Sequence, residues 1–237
     1  MKNNLVISTG LLLFIASLGT AVSPGRVVLA EDYTATWCSY CPKAAEALEE
    51  LNTQFPGRVI IVAYHSDRLG DPFGFAEGVA RGDARKVDAF PTVFIDGTKV
   101  DLGDGTAELV GLIKPVVEER LTMAPPMTIK LEYKSGSANI VLGNKSGKER
   151  LVNVYAAAVT PLAHHGKKDY PRVCRALVHN DGVQIRQKVK KSPKVLLPLE
   201  LQQEWYDGDG RLDVVAWVED ATTGEVLATV EVSLNDY

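Results

Sequence analysis

The first half of the chain alternates between short apolar runs and longer stretches whose apolar residues recur at helical spacing. The apolar runs predict buried strands at residues 27–30, 59–64 and 92–95. Residues 42–55 and 106–121 carry apolar side chains every three or four positions, which predicts two amphipathic helices. Strands with interleaved helices predict an α/β domain over residues 26–122.

The period of the pattern changes after residues 123–126, where two consecutive prolines cannot continue a helix and indicate a linker. Beyond the linker, apolar and polar residues are interpreted as alternating with a period of two. The segments are 127–134, 138–142, 151–160, 183–189, 212–218 and 226–234. Short alternating strands separated by turn residues predict an all-β antiparallel sandwich over residues 127–237.

The N-terminus has the pattern of a secretory signal peptide over residues 1–22. Lys2 precedes an apolar run over residues 5–21, and small residues end the run at Gly19-Thr20-Ala21. An uncleaved membrane anchor is the alternative, since the run approaches the shortest length that spans a bilayer. We expect an exported protein, in the periplasm, cell envelope or extracellular space, with no lasting membrane span after cleavage and with its cysteines in an oxidising environment.

Charge and cysteine content narrow the functional classes. Twenty-six basic residues against thirty acidic ones leave no positive excess to bind phosphates, so no nucleic acid partner is expected. The chain has three cysteines, Cys38, Cys41 and Cys174, which is too few and an odd number for a disulfide-stapled scaffold.

Cys38 and Cys41 are separated by two residues and stand between the first predicted strand and the first predicted helix. A thiol in the first turn of a helix faces unpaired backbone N–H groups and the positive end of the helix dipole, which favour the thiolate. This spacing predicts a nucleophile at Cys38 and a resolving thiol at Cys41 that can form a disulfide with it. Neither cofactor nor metal is needed for this chemistry.

Two further positions fit thiol chemistry. Asp32 lies six residues before Cys38 at the end of the first strand, where a buried carboxylate of raised pKa could accept a proton from Cys41. Phe90-Pro91-Thr92 opens a later strand, and a proline there is a candidate for a cis peptide bond that shapes a loop opposite the cysteines.

Together these residues resemble the thioredoxin superfamily: a strand, then Trp37-Cys38-x-x-Cys41 at a helix start, then a Pro-Thr strand and a closing helix. The resemblance covers residues 26–122 and implies a thioredoxin-like domain in front of the sandwich. It implies that Cys38 attacks, Cys41 resolves, Asp32 carries the proton and Pro91 is cis.

The resemblance also implies that Trp37, Phe90, Pro91 and Thr92 contact substrate. The chain departs from the pattern in the Ser-Tyr pair between its cysteines and in a long glycine-rich stretch over residues 65–85 that could cover the active face.

A narrower resemblance extends to the whole chain. Residues 31–38, followed by Cys41-Pro42, and the segments 212–220 and 223–227 resemble a secreted outer-membrane-protein family with a thioredoxin-like front and a β-sandwich rear. That family implies little about substrate.

We therefore expect an exported thiol–disulfide oxidoreductase that forms mixed disulfides with protein substrates or a redox partner. A non-enzymatic envelope or adhesion protein with a structural disulfide is the alternative. A zinc or copper site at the cysteine pair lacks further ligands at suitable spacing. Cys174 is interpreted as a small core residue or else an exposed thiol, and His65 as a packed core residue.

Overall fold

The computed structural model describes residues 20–22, 25–104, 108–185 and 192–235. The elements in this part of the chain are β1 (Thr20–Val22), β2 (Val28–Thr34), α1 (Cys41–Gln54), β3 (Val59–His65), α2 (Ala76–Ala84), β4 (Thr92–Ile95), β5 (Thr98–Lys99), α3 (Leu109–Thr122), β6 (Met127–Lys134), β7 (Ser137–Asn144), β8 (Arg150–His165), β9 (Lys168–Ile185), β10 (Lys194–Pro198), β11 (Arg211–Asp220) and β12 (Val226–Asn235). Short 3-10 helices occur at Arg68–Gly70 and Gln203–Trp205. Apart from β1, the predicted signal peptide lies outside the described residues. None of the described helices is long and apolar enough to cross a membrane.

The strands form two sheets. The smaller sheet has the order β1-β6-β7-β10, and its strands are antiparallel. The larger sheet has eight strands in the order β12-β11-β8-β9-β3-β2-β4-β5. Within it β2 and β3 are parallel over their full length, and β3 pairs with β9 in parallel at Ala63 and Val173.

The predicted fold class, an α/β thioredoxin-like domain followed by an all-β antiparallel sandwich, is wrong. Strands from the first half (β2 to β5) and from the second half (β8, β9, β11 and β12) belong to one continuous mixed sheet. The molecule is mostly β, and α1 and α3 cover one face of the first-half strands. The pairing of β3 with β9 is the connection that a division at residues 123–126 does not anticipate.

The physical reason lies in the central strands of the second half. Val214 and Ala216 of β11 pack into the core between the two sheets. Val215 and Trp217 pack on the opposite face, in the same core as Tyr33 of β2. A strand covered on both faces has a continuous apolar sequence. The alternation predicted for residues 212–218 is therefore wrong.

The stretch over residues 65–85 contains a helix, which the sequence analysis did not predict because of the glycine content. This helix, α2, is fixed to the sheet by a buried ion network. Arg81 Nε donates to Glu31 Oε1 at 2.8 Å, and its two Nη atoms bond Glu219. Arg85 Nη2 donates to Glu31 Oε2 at 3.2 Å and to Glu219 Oε1 at 2.7 Å. Burial opposes ionisation of Glu31, but Arg81 and Arg85 together lower its pKa below the ordinary value.

Candidate functional site

Cys38 and Cys41 form a disulfide at the N-terminus of α1, with Cα atoms 5.5 Å apart. Cys41 is the first helical residue, and its backbone N–H lies 3.1 Å from Cys38 Sγ. Cys41 is 3% exposed, whereas Cys38 is only half-buried. Of the two sulfur-bearing residues, Cys38 is therefore the one more accessible to an incoming molecule, and an N–H group is already directed at its sulfur.

Asp32 lies on β2 beneath the cysteine pair. It is 1% exposed, and its Oδ1 atom has no hydrogen-bond partner within the part of the chain that the structure describes. Burial raises the pKa of Asp32 to about 7. The carboxyl group can therefore take up and release a proton near neutral pH.

Asp32, Cys38 and Cys41 line one cavity of about 330 Å³, which we call the cysteine cleft. The end of β3 contributes Ala63 and His65 to the same cleft. The opposite wall comes from the second half of the chain, where the β8–β9 hairpin contributes residues 168–171. The sequence analysis missed this wall, because a single register pair between distant strands sets its position.

Two of the predicted substrate residues, Phe90 and Pro91, line a second cavity. The Phe90–Pro91 peptide bond is cis. Phe90 and Pro91 line a cavity of about 310 Å³, the Pro91 cleft, together with Tyr40. Trp37 is 44% exposed, packs edge-on against Phe90 with ring centroids 5.9 Å apart, and donates from Nε1 to the Arg68 carbonyl.

Thr92 differs from the other predicted substrate residues. It is buried, and its hydroxyl donates to the Ala89 carbonyl at 2.7 Å. Thr92 thus holds the loop that precedes Pro91. The segment that carries the disulfide borders both clefts, since Cys38 lines one and Tyr40 the other.

His65 and Asp71 form a buried pair at the edge of the cysteine cleft. His65 Nδ1 lies 3.1 Å from Asp71 Oδ2, which also accepts the Thr36 N–H at 2.6 Å. Asp71 Oδ1 accepts the Phe73 N–H at 3.1 Å. Burial acts to raise the pKa of Asp71, but these hydrogen bonds lower it below the ordinary value. Asp71 therefore anchors the backbone just before Cys38, and the sequence offered no signal for this pairing.

Cys174 takes no part in the cleft. It is fully buried on β9, and its Sγ lies 3.5 Å from the Ala176 carbonyl. Burial raises the pKa of its thiol far above the ordinary value. The structure therefore places Cys174 as a small core residue and not as an exposed thiol.

Within the described residues, no cluster of three or more histidine, cysteine or acidic side chains is suited to hold a metal ion. His164 at the end of β8 is exposed and pairs with Asp169 at 2.6 Å.

Comparison with known proteins shows a similarity of fold and nothing further. No protein-family model and no curated protein matches the chain. Among solved structures, one of a malarial protein aligns with 41% of this chain and 100% of its own at 17% identity, with a TM-score of only 0.30. The crystal structure of protein AGR_C_4864 from Agrobacterium tumefaciens aligns over 87% of this chain and 94% of its own, with a TM-score of 0.59 and 17% identity. At that identity the likeness is one of fold, so the chain shares its overall architecture with AGR_C_4864.

Proposed function

We propose that the protein is a thiol–disulfide oxidoreductase that acts on protein disulfides through Cys38 and Cys41. The observation that carries the proposal is the buried carboxyl group of Asp32 in the cleft that the disulfide borders, whose Oδ1 has no hydrogen-bond partner among the described residues. Buried polar atoms are nearly always hydrogen-bonded, and a disulfide with a purely structural role needs no such group beside it. A titratable group of perturbed pKa in a cleft is typical of a reactive site.

In the reducing direction, the Cys38 thiolate attacks one sulfur of a substrate disulfide. A mixed disulfide forms, and the other substrate sulfur leaves as a thiolate. Cys41 then attacks Cys38 Sγ, which closes the Cys38–Cys41 disulfide and releases the second substrate sulfur. Two electrons pass from the cysteine pair to the substrate, and a dithiol partner restores the reduced pair.

Asp32 takes the proton of Cys41 in the second step. A thiol is a poor nucleophile until it is deprotonated, and Cys41 is buried away from bulk water. A carboxylate whose pKa is about 7 is matched to this transfer at neutral pH, because it both accepts and returns the proton readily.

The surroundings of the disulfide suit a polypeptide substrate. Trp37 and Tyr40 expose 44% and 57% of their surface beside Cys38. The backbone next to cis-Pro91 borders an open cleft that can seat an extended segment by strand-like pairing. Partners of this kind are held through mixed disulfides and need no cofactor.

The direction of the reaction depends on the reduction potential of the pair relative to that of its partner. The same steps in reverse oxidise a substrate dithiol. An exported protein, as the N-terminal sequence predicts, meets an oxidising compartment in which either reaction has substrates.

The test combines turnover with trapping. Purified protein is assayed for reduction of insulin by dithiothreitol and for oxidation of a reduced, unfolded protein, beside Cys38→Ser. In the cell that exports the protein, Cys41→Ser lacks the resolving thiol, so we expect it to accumulate thiol-sensitive adducts on Cys38.

Cys174→Ser in the Cys41→Ser background is the matched control, and it should leave the adducts unchanged because Cys174 is fully buried. If wild type turns over neither substrate faster than Cys38→Ser, the proposal fails, and the disulfide is a fixed bridge in a binding protein.

A further inference from the structure

His65 and Asp32 lie on neighbouring strands and on the same face of the sheet. In the parallel pairing of β2 with β3, Asp32 is opposite Ala63 and Thr34 is opposite His65. All four residues line the cysteine cleft. His65 is thus two residues further along the strand direction than Asp32, about 6.6 Å by the rise of a parallel strand, and it ends β3.

The hydrogen-bond partner of His65 determines which of its ring nitrogens carries the proton. Asp71 Oδ2 already accepts the Thr36 N–H, and the lowered pKa of Asp71 keeps it ionised, so it can only accept from His65. His65 Nδ1 must therefore carry a proton. In the neutral ring Nε2 is then a hydrogen-bond acceptor.

Aromatic neighbours hold the ring in place. Phe73 and Tyr170 both pack edge-on against His65, with centroids at 5.1 and 5.7 Å. Tyr170 belongs to the β8–β9 hairpin, which forms the far wall of the cleft. Contacts with Asp71, Phe73 and Tyr170 therefore restrict the orientation of the His65 ring.

The charged groups around His65 carry both signs. On the side of the cysteine cleft they are Asp32, Asp71, Lys168 and Asp169. On the side of α2, where His65 borders a smaller cavity, they are Asp67, Arg68, Asp83 and Asp88.

We infer that His65, held by Asp71, is the relay through which protons pass between Asp32 and the mouth of the cysteine cleft. The inference rests on the proposed function. When Cys41 attacks, its proton moves to Asp32, then through water in the cleft to His65 Nε2, and finally to the mouth of the cleft or the departing substrate thiolate. Asp71 is the positioning residue, because it fixes which nitrogen exchanges the proton.

The relay is tested with His65→Gln, whose amide can still donate to Asp71 but cannot titrate. We expect kcat for disulfide turnover at pH 7 to fall by about 100-fold or more with KM nearly unchanged, the size of effect that a lost acid–base group produces. In His65→Ala, added imidazole should restore several-fold of the lost kcat, which repair of a merely structural defect would not do.

His179→Gln is the matched control. His179 pairs with Asp181 at 3.1 Å, the same separation as His65 and Asp71, but it is exposed and outside the cleft. This variant should match wild type in kcat, KM and pH profile.

A measurement on the unmodified protein guards against variants that fail to fold. The relay requires the proton of the neutral His65 ring to be on Nδ1, so nuclear magnetic resonance of the ring nitrogens must show the Nδ1-protonated tautomer. A proton on Nε2 instead of Nδ1 overturns the inference, as does a folded His65→Gln with wild-type kcat and pH profile. Either result leaves the proposed function standing if wild type turns over and Cys38→Ser does not, whereas absence of wild-type turnover removes both.

Discussion

Two adjacent acidic residues of β2, Glu31 and Asp32, are both fully buried but occupy opposite faces of the strand. Glu31 faces the ion network, where Arg81 and Arg85 satisfy its oxygens and lower its pKa. Asp32 faces the cysteine cleft with one oxygen that no described residue pairs with, and burial raises its pKa to about 7. Two carboxyl groups that are both fully buried thus have pKa values shifted in opposite directions.

The difference separates a structural carboxylate from a reactive one. The Glu31 network connects α2 with β2 and with β11, so its charges serve to join the two halves of the large sheet. Asp32 contributes nothing comparable, since an unpaired buried carboxyl costs free energy whenever it is ionised. A protein that retains such a group beside a disulfide gains chemistry from it, which is the basis of the proposed function.

The largest expected effect is a loss of stability when the ion network around Glu31 is disrupted. Arg81→Leu leaves Glu31 and Glu219 with only Arg85 between them, and removing one partner from a buried ion pair costs about 3 to 5 kcal/mol. Urea denaturation should show that loss in the free energy of unfolding, while disulfide turnover by the folded fraction stays unchanged.

Arg150→Leu is the control, since Arg150 pairs with Asp220 at a partly exposed position and the change should cost no more than about 1 kcal/mol. Equal losses of unfolding free energy in Arg81→Leu and Arg150→Leu would show that the buried network stabilises the fold no more than a partly exposed ion pair does.

Replacing Asp32, the reactive carboxylate of the comparison, should increase the free energy of unfolding in a pH-dependent way. The folded pKa of Asp32, about 7, lies above the unfolded value of 3.8, so the folded state loses stability from this group as pH rises between them. Three pKa units correspond to about 4 kcal/mol. Asp32→Asn should therefore match wild type near pH 4, exceed its free energy of unfolding by up to about 4 kcal/mol at pH 8, and lower turnover about 100-fold.

Asp88→Asn, at an exposed carboxyl, should alter neither quantity. A stability difference for Asp32→Asn that is the same at pH 4 and pH 8 would contradict the assignment of an ionisable, buried group.

The sequence predicted much of the local structure, for a physical reason. Spacing of apolar residues determines which face of α1 is buried, and the structure forms α1, α3 and the strands β2, β3 and β4 close to the predicted bounds. The cysteine pair at the start of α1 and Asp32 on β2 follow from the same local pattern.

What the sequence could not supply is long-range pairing. The contact of Ala63 with Val173 joins residues far apart in the chain, and it both merges the two predicted units into one sheet and brings the β8–β9 hairpin over the cleft. His65 and Asp71 were missed for a related reason, because their bond depends on how the loop after β3 returns. Apolar patterns fix the faces of elements but not their partners in a sheet.

The smallest expected effect comes from a variant that tests whether an unpaired buried polar group outside the cysteine cleft influences turnover. Thr229 on β12 is 1% exposed, and its hydroxyl has no partner within the described part of the chain, but it does not line the cysteine cleft. Thr229→Val has nearly the same shape and removes the unsatisfied oxygen, so the free energy of unfolding should rise by about 1 kcal/mol at both pH 4 and pH 8. Turnover and its pH profile should be those of wild type. A change in turnover would mean that an unpaired buried group affects the chemistry from outside the cleft, and the contrast between Glu31 and Asp32 would then no longer identify the reactive carboxylate.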